Sequence, residues 1–248
     1  MGSEKSQSSN IMGIKSIIKR FLLKRKKAII IDKLSEINYN VINKTINAEY
    51  PCLISDSICS FEVVNEGCRI SDSKCYGDII LGRFVSISGP GTVIKALKEK
   101  IYIGSFCSIG QNVCIVDFNH LYNRITSSFI HYQVFNEDYK IDIDTKGQVV
   151  LEEDVWIGSN TIILPGVKIG RGSVIGGGSV VTKDIPRYSI ALGNPAKVVS
   201  TRFDENTIQL LEELQWWEWD IAKIKRNKKL FSISLAYNTS EQIKAIID

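Results

Sequence analysis

A six-residue period limits what the centre of this chain can fold into. Written in sixes, residues 151–186 read LEEDVW, IGSNTI, ILPGVK, IGRGSV, IGGGSV and VTKDIP. The first place is always aliphatic: Leu151, Ile157, Ile163, Ile169, Ile175 and Val181. The fifth is always small or β-branched: Val155, Thr161, Val167, Ser173, Ser179 and Ile185. Glycine recurs at the second place, as Gly158, Gly170 and Gly176. Upstream, LGRFVS (81–86), ISGPGT (87–92), IGSFCS (103–108) and IGQNVC (109–114) obey the same rule, and residues 58–75 are weaker copies. An amphipathic α-helix spaces its apolar residues by three and four, not six. Ordinary sandwich strands would not hold phase across six consecutive hexads. A solenoid does fit. Three short strands joined by tight turns form a triangular coil of about eighteen residues, and each hexad supplies one side. First-place side chains point inward and stack into a continuous aliphatic column, small residues sit near the corners, and glycine permits the turn. The expected fold class is therefore mainly β, a parallel β-helix.

The phase breaks after Ile115 and returns at Leu151, leaving a loop over 116–149. A long unpatterned loop inside a compact repeat is usually functional. This one carries both histidines of the chain, His120 and His131, among the aromatic residues Tyr122, Phe129, Tyr132 and Phe135.

The stretch VVLEEDVWIGSNTIILPGVKIGRGSVIGGGSVVTKDIPRYSIALGNPAKVV (149–199), followed by TRFDENTIQLLEELQWWEWDIAKI (201–224), resembles the hexapeptide-repeat acyltransferases, whose fold is a left-handed β-helix. The GNPAK exit, the RFD, the leucine-rich helix and the WWEW cluster are similar to the xenobiotic acetyltransferase branch, which acetylates chloramphenicol or streptogramins. They are also similar to nearby polysaccharide and sugar O-acetyltransferases. The clear resemblance covers about residues 80–225.

That resemblance implies acetyl-CoA as co-substrate and a homotrimer with active sites between subunits, each closed by the loop acting as an arm. It also implies that the pair Asn119–His120 is catalytic, with His120 as general base. The chemistry agrees: a thioester is already activated, so the enzyme mainly has to deprotonate the attacking hydroxyl or amine, and imidazole titrates near neutrality. By the same resemblance Trp156, Ser159, Gly177, Thr182, Lys183 and Lys197 bind the co-substrate, with Lys183 and Lys197 facing its phosphates. Tyr122, Phe129 and Tyr132 then line the acceptor pocket or pack on the next subunit. Arg202 either faces the co-substrate or fixes the C-terminal helix. The expected acceptor is a sugar hydroxyl of a bacterial surface polysaccharide, because the drug enzymes lack the long N-terminal segment. A chloramphenicol- or streptogramin-type acceptor, an amino sugar, and a catalytically silent scaffold are the alternatives.

Composition bounds the rest. A net charge of +4 over 248 residues is mild, and no zinc-finger or RNA-binding signature is present, so no nucleic-acid partner is expected. Six cysteines form no CxxC pair and only two histidines exist, which argues against a zinc site; no metal is expected. The cysteines read as buried free thiols of a reducing, cytoplasmic compartment. No apolar run is long enough for a transmembrane helix, and MGSEKSQSSN has no apolar core for a signal peptide. Residues 1–10 read as a disordered tail or an expression remnant. Residues 11–50 read as a basic helical segment: Ile14, Ile17, Ile18, Phe21 and Leu22 recur at helical spacing beside Lys15, Lys19, Arg20 and the run 24–27. Residues 11–31 either pack on the protein or touch the inner face of a membrane peripherally. Residues 51–200 form the β-helix, and 201–248 a C-terminal helical cap over an exposed coil edge.

Overall fold

The hexad rule puts one short strand on each side of a triangle, and the chain climbs by stacking triangles. The computed structural model describes residues 29–31, 35–38, 49–235 and 240–247. It is a left-handed parallel β-helix of about eight coils. Through the regular part each strand pairs in parallel with the one eighteen residues on, as Val150↔Lys168, Trp156↔Val174 and Ile162↔Val180. On one face the inward residues in register are Ile31, Ile54, Ile70, Ile87, Ile109, Ile157, Ile175 and Ala191. All eight are buried. Each isoleucine in such a column contributes about 1.5–3 kcal/mol by leaving water. The small polar residues at the fifth place are buried without being orphaned. Thr161 Oγ1 donates to Gly158 O (2.7 Å) and Ser173 Oγ to Pro186 O (2.7 Å), so the corner carbonyls gain a partner.

Insertions interrupt the climb, and the chain rejoins the coil in phase after each; a short one lies between Ser88, opposite Ser71, and Thr92, opposite Ser73. Tyr102 pairs with Val150, so the arm over 116–149 leaves one coil and the chain rejoins the next in phase. A smaller insertion lies between Ala96, opposite Gly77, and Ile101, opposite Ile79. Residues 97–100 therefore bulge from a corner as a hump.

The N-terminal expectation needs correction where it can be compared. Ile29–Ile31 and Glu36–Asn38, expected within a helical segment, are strands paired in parallel with Cys52–Ile54 and Ile58–Ser60. Three consecutive β-branched residues favour a strand, and the coil beneath offers a free edge to pair with. The expectations for residues 1–28 lie outside the described residues.

The C-terminal region, expected as a helical cap over an exposed coil edge, covers the edge of several coils. It runs back down one corner of the stack as a strap. That corner is turned by positive-φ residues, including Phe84, Phe106, Asp154, Gly172 and Tyr188. Arg202 Nη1 donates to Asp154 Oδ2 (3.1 Å) and Gly172 O (2.6 Å). Helix Glu205–Leu214, N-capped by Asp204, brings Glu212 to Arg171, Arg187 and the Tyr188 hydroxyl. Lower down, Trp216 packs on Phe106, Arg171 lies 4.0 Å over the Trp217 ring, and Arg83 donates to the Trp217 and Trp219 carbonyls. Near the first coils, Lys225 meets Glu49 at 3.0 Å. A lateral path satisfies the polar corner turns of several coils at once, whereas an end cap would cover one.

Candidate active site

The arm is built outward from a buried carboxylate. Strand Cys114–Val116 ends at Asp117, which is fully buried. The three amides of the hump, Leu97 N, Lys98 N and Glu99 N, donate to its carboxylate at 2.8, 2.7 and 2.5 Å. Charge-assisted bonds from three backbone N–H groups stabilise a buried anion and fix the outgoing limb. The same hump holds the returning limb: Lys98 Nζ donates to Ile143 O at 2.6 Å. Thr145 Oγ1 joins the limbs by donating to Asp117 O (2.5 Å). Between these ties Asn119–His120 and Ile143–Asp144 pair antiparallel, with His120 opposite Ile143. Further out, the buried Asp142 accepts from Tyr132 N (3.2 Å) and lies 3.9 Å from the Arg124 guanidinium.

His120 is exposed on this ribbon, and its ring is oriented. Nδ1 lies 2.6 Å from the Ser127 carbonyl oxygen. A carbonyl only accepts, so Nδ1 carries a proton, and in the neutral ring the lone pair is on Nε2. The Phe129 ring meets the imidazole edge-on at 4.5 Å between centroids. His131 is engaged elsewhere, with Nδ1 2.5 Å from Glu137 Oε2.

The remaining expected site residues sit on the coils. Trp156 points outward from its strand and is 56% exposed. Ser159 and Gly177 are exposed at the next corner, where Gly178 N donates to Ser159 O (2.9 Å) and Gln111 N to Ser159 Oγ (3.3 Å). Thr182, Lys183 and Lys197 are exposed nearer the top. Within one chain Ser159 and Gly177 do not share a corner with His120, whereas Thr182 and Lys183 follow Val181, which stacks in register over Ile163 and Ile115, at the corner where the arm leaves. The arm leaves where the Cys114–Val116 face ends, and Ser159 and Gly177 lie where that face begins. Tyr122 is 89% exposed, and Tyr132 is exposed with its ring against Tyr139. Arg202 is held by Asp154 and Gly172 O, so of its two expected roles the structure supports fixing the strap. Sequence reasoning missed Asp117, Lys98, Asp142 and the Ser127 carbonyl. The one available signal was an aspartate two places after the last in-phase residue.

A family model for bacterial transferase hexapeptide repeats (six repeats) matches residues 148–183. Chloramphenicol acetyltransferases of Klebsiella aerogenes and Escherichia coli are 41% and 38% identical over 133 residues, which is 51% of this chain and 63% of each relative. The match thus spans less than two thirds of their length. A probable macrolide acetyltransferase of Lysinibacillus sphaericus is 36% identical over 144 residues, 55% of this chain and 79% of the relative. The chain belongs to the hexapeptide-repeat acetyltransferase family. The crystal structure of a variant of AntD, an N-acyltransferase from Bacillus cereus in complex with dTDP and coenzyme A, shares the fold at a TM-score of 0.51 and 21% identity, over 75% of this chain and 87% of AntD. In this hexapeptide-repeat protein the matched repeats contain Trp156, Ser159, Gly177, Thr182 and Lys183, whereas the arm with His120 precedes all but its last residues.

Proposed function

We propose that the chain transfers acetyl from acetyl-CoA to a hydroxyl of a surface glycan, with His120 as general base. The observation that carries this reading is the Nδ1–Ser127 O bond, which leaves Nε2 as the free base. Nε2 takes the proton of the acceptor hydroxyl as its oxygen attacks the thioester carbonyl carbon. The new C–O bond forms, the C–S bond breaks, and the departing CoA sulfur takes the proton back from Nε2. The Ser127 carbonyl stabilises the imidazolium between the two transfers. No covalent enzyme intermediate is needed. Gly177, bare of a side chain at an exposed corner, suits backbone approach by the pantetheine chain, and the exposed ammonium groups of Lys183 and Lys197 suit the phosphates. The exposed rings of Tyr122 and Tyr132 suit stacking on a sugar face.

The site is shared between subunits of a homotrimer in this reading. His120 and the Gly177 corner lie at different corners of one chain, so a neighbour completes the pair. The outward column Val93, Cys114, Ile162 and Val180 is uncharged and suits burial between coils of two copies. Light scattering of active protein should give three times the chain mass; an active monomer would refute the shared site. A drug of the chloramphenicol type is the second reading, favoured by the 41% identity to chloramphenicol acetyltransferase.

The deciding assay follows thiol release from acetyl-CoA with glycans, amino sugars, chloramphenicol and a streptogramin, alongside His120→Ala. Turnover with a glycan that the substitution abolishes supports the first reading, and turnover with a drug alone promotes the second. A His120→Ala protein as fast as the parent would remove His120 from the mechanism.

A further inference from the structure

Three consecutive coils enclose, at one corner, a groove that the proposed acetyl transfer does not use. Asp56, Ser57 and Ile58 line it from the second coil, Asp72, Ser73 and Lys74 from the third, and Gly91, Thr92 and Val93 from the fourth, around about 400 Å³. The hydroxyls of its wall are already engaged by the backbone. Ser57 Oγ donates to Ser55 O and Ser73 Oγ to Ser71 O, both at 2.7 Å, and Thr92 Oγ1 lies 2.7 Å from Ser88 O and 2.8 Å from Gly110 O. Asp56, Asp72 and Lys74 are exposed, beside the partly buried Ile58 and Val93. The corner itself does not call for acid. Asp56 and Asp72 turn it at φ +48° and +47°, and Asn112 and Asn160 turn it on the fifth and sixth coils at +54° and +63°. Asparagine and aspartate both visit this left-handed conformation, so the turn explains a short polar residue but not the negative charge.

The groove lies on the corner of Ser159 and Gly177, further down the axis. The residues expected to hold the co-substrate, Trp156, Ser159, Gly177, Thr182, Lys183 and Lys197, belong to the sixth coil and those above it, in register over Ile109 and Ile115 of the fifth. The arm of His120 leaves the fifth coil, after strand Cys114–Val116. A thioester that approaches His120 from above leaves the lower coils of this corner to the acceptor. The outward column that suits contact between copies is uncharged from Val93 upward and becomes Lys74 on the third coil. Close packing of two copies therefore ends where the groove begins. Asp56 lies three coil spacings below the fifth level, about 14 Å at 4.7–4.9 Å each, which is more than a single sugar ring spans.

We propose that this groove is a subsite for the remote sugars of an oligosaccharide acceptor whose reacting residue lies at His120. It rests on the acetyl-transfer reading and narrows the acceptor to a chain of several sugars. The two carboxylates accept hydrogen bonds from sugar hydroxyls, Lys74 donates to ring or hydroxyl oxygens, and the apolar face of a sugar ring lies over Ile58 and Val93. Two carboxylates against one ammonium make the groove net negative, so it takes neutral or amino-bearing sugars and repels a uronate-rich chain. A small drug bound at His120 would not reach it. Asp56 and Asp72 lie on coils that precede the stretch with the family resemblance, so the subsite belongs to the added coils of this chain.

An array of immobilised neutral, amino-bearing and uronate-bearing saccharides, each series running from mono- to hexasaccharide, tests it with the full chain and the double substitution Asp56→Asn, Asp72→Asn. Asparagine keeps the left-handed corner, so the melting temperature should stay near the parent value. The parent should retain a neutral or amino-bearing hexasaccharide about ten-fold or more better than the monosaccharide of its series, and the variant should lose most of that difference. Thiol release from acetyl-CoA with the retained hexasaccharide should show kcat/KM lowered about ten-fold in the variant, chiefly through KM. A hexasaccharide held through the two aspartates but never acetylated would support the saccharide subsite and overturn the acetyl-transfer reading. A hexasaccharide acetylated equally well by parent and variant would overturn the subsite and leave that reading intact. The subsite is also overturned if no saccharide is retained, if chain length makes no difference, or if the uronate series is preferred.

Discussion

In the proposed mechanism His120 acts as a base through Nε2, and the Ser127 carbonyl at 2.6 Å keeps a proton on Nδ1. Replacing it with alanine should lower kcat by about 10²–10⁴-fold, the usual contribution of a positioned acid–base group, while leaving KM for acetyl-CoA within a few-fold. Steady-state kinetics at saturating acceptor check this. A residue of the opposite kind is Gly77, at φ +96°, where an added Cβ would lie 1.7 Å from Ala96 O. Gly77→Ala should destabilise the fold by more than about 1 kcal/mol, because both the backbone conformation and the contact forbid a side chain. Thermal unfolding would show it as a drop of several degrees. His120 was legible in the sequence because histidine is scarce here and this one sits just past the phase break. The Ser127 carbonyl was not legible, since it reaches the imidazole only through the path the loop takes in space.

At the scale of elements, the arm depends on the hump over residues 97–100. Its amides hold Asp117 on the outgoing limb and its lysine holds Ile143 on the returning one, next to His120 across the ribbon. Asp117→Asn turns one acceptor oxygen into a donor facing an amide N–H, which leaves a buried donor unsatisfied at about 1–3 kcal/mol. The expected result is faster hydrogen exchange over residues 117–147, with the coil strands unchanged. A misplaced base by about 1 Å can cost roughly 10²-fold, so kcat should fall more than KM for acetyl-CoA rises. Lys98→Met, at an exposed position, should give a milder version of both effects. Unchanged exchange in the arm of both variants would contradict the anchoring role. The coils were legible because every hexad repeats the same physical demand. The hump was hidden, because KALKEKIYI between two in-phase strands reads as ordinary strand sequence and the insertion shows only in the pairing of Gly77 with Ala96 and Ile79 with Ile101.

For the whole molecule, the strap is what joins distant coils, and its grip is largely ionic. Leucine and tryptophan spacing alone predicts a helical cap over an exposed coil edge without saying which coils it covers. The lateral path depends on Arg83, Arg171, Arg187 and Arg202 all lining one corner, which no local pattern reveals. Glu152 lies at the centre of this set, in contact with Arg187 and Lys168 and accepting from Arg171 N. Burial works against its charge, but the hydrogen bonds from Arg187, Lys168 and the Arg171 amide outweigh it and hold the carboxyl at about 2. An unfolded glutamate titrates near 4.3, so the folded form binds its proton less readily than the unfolded form. The stability it contributes is therefore complete above the unfolded value and drains away as pH falls from about 4.5 toward 2. Glu152→Gln should unfold at a lower temperature than the parent at pH 7, and the gap should close as the pH approaches 2. A gap that stays constant across that range would mean the network stabilises the strap through packing of the long side chains rather than through charge. Because Arg171 also stacks on Trp217 at 4.0 Å, Arg171→Met tests the packing component separately: it should cost stability at pH 2 as well as at pH 7.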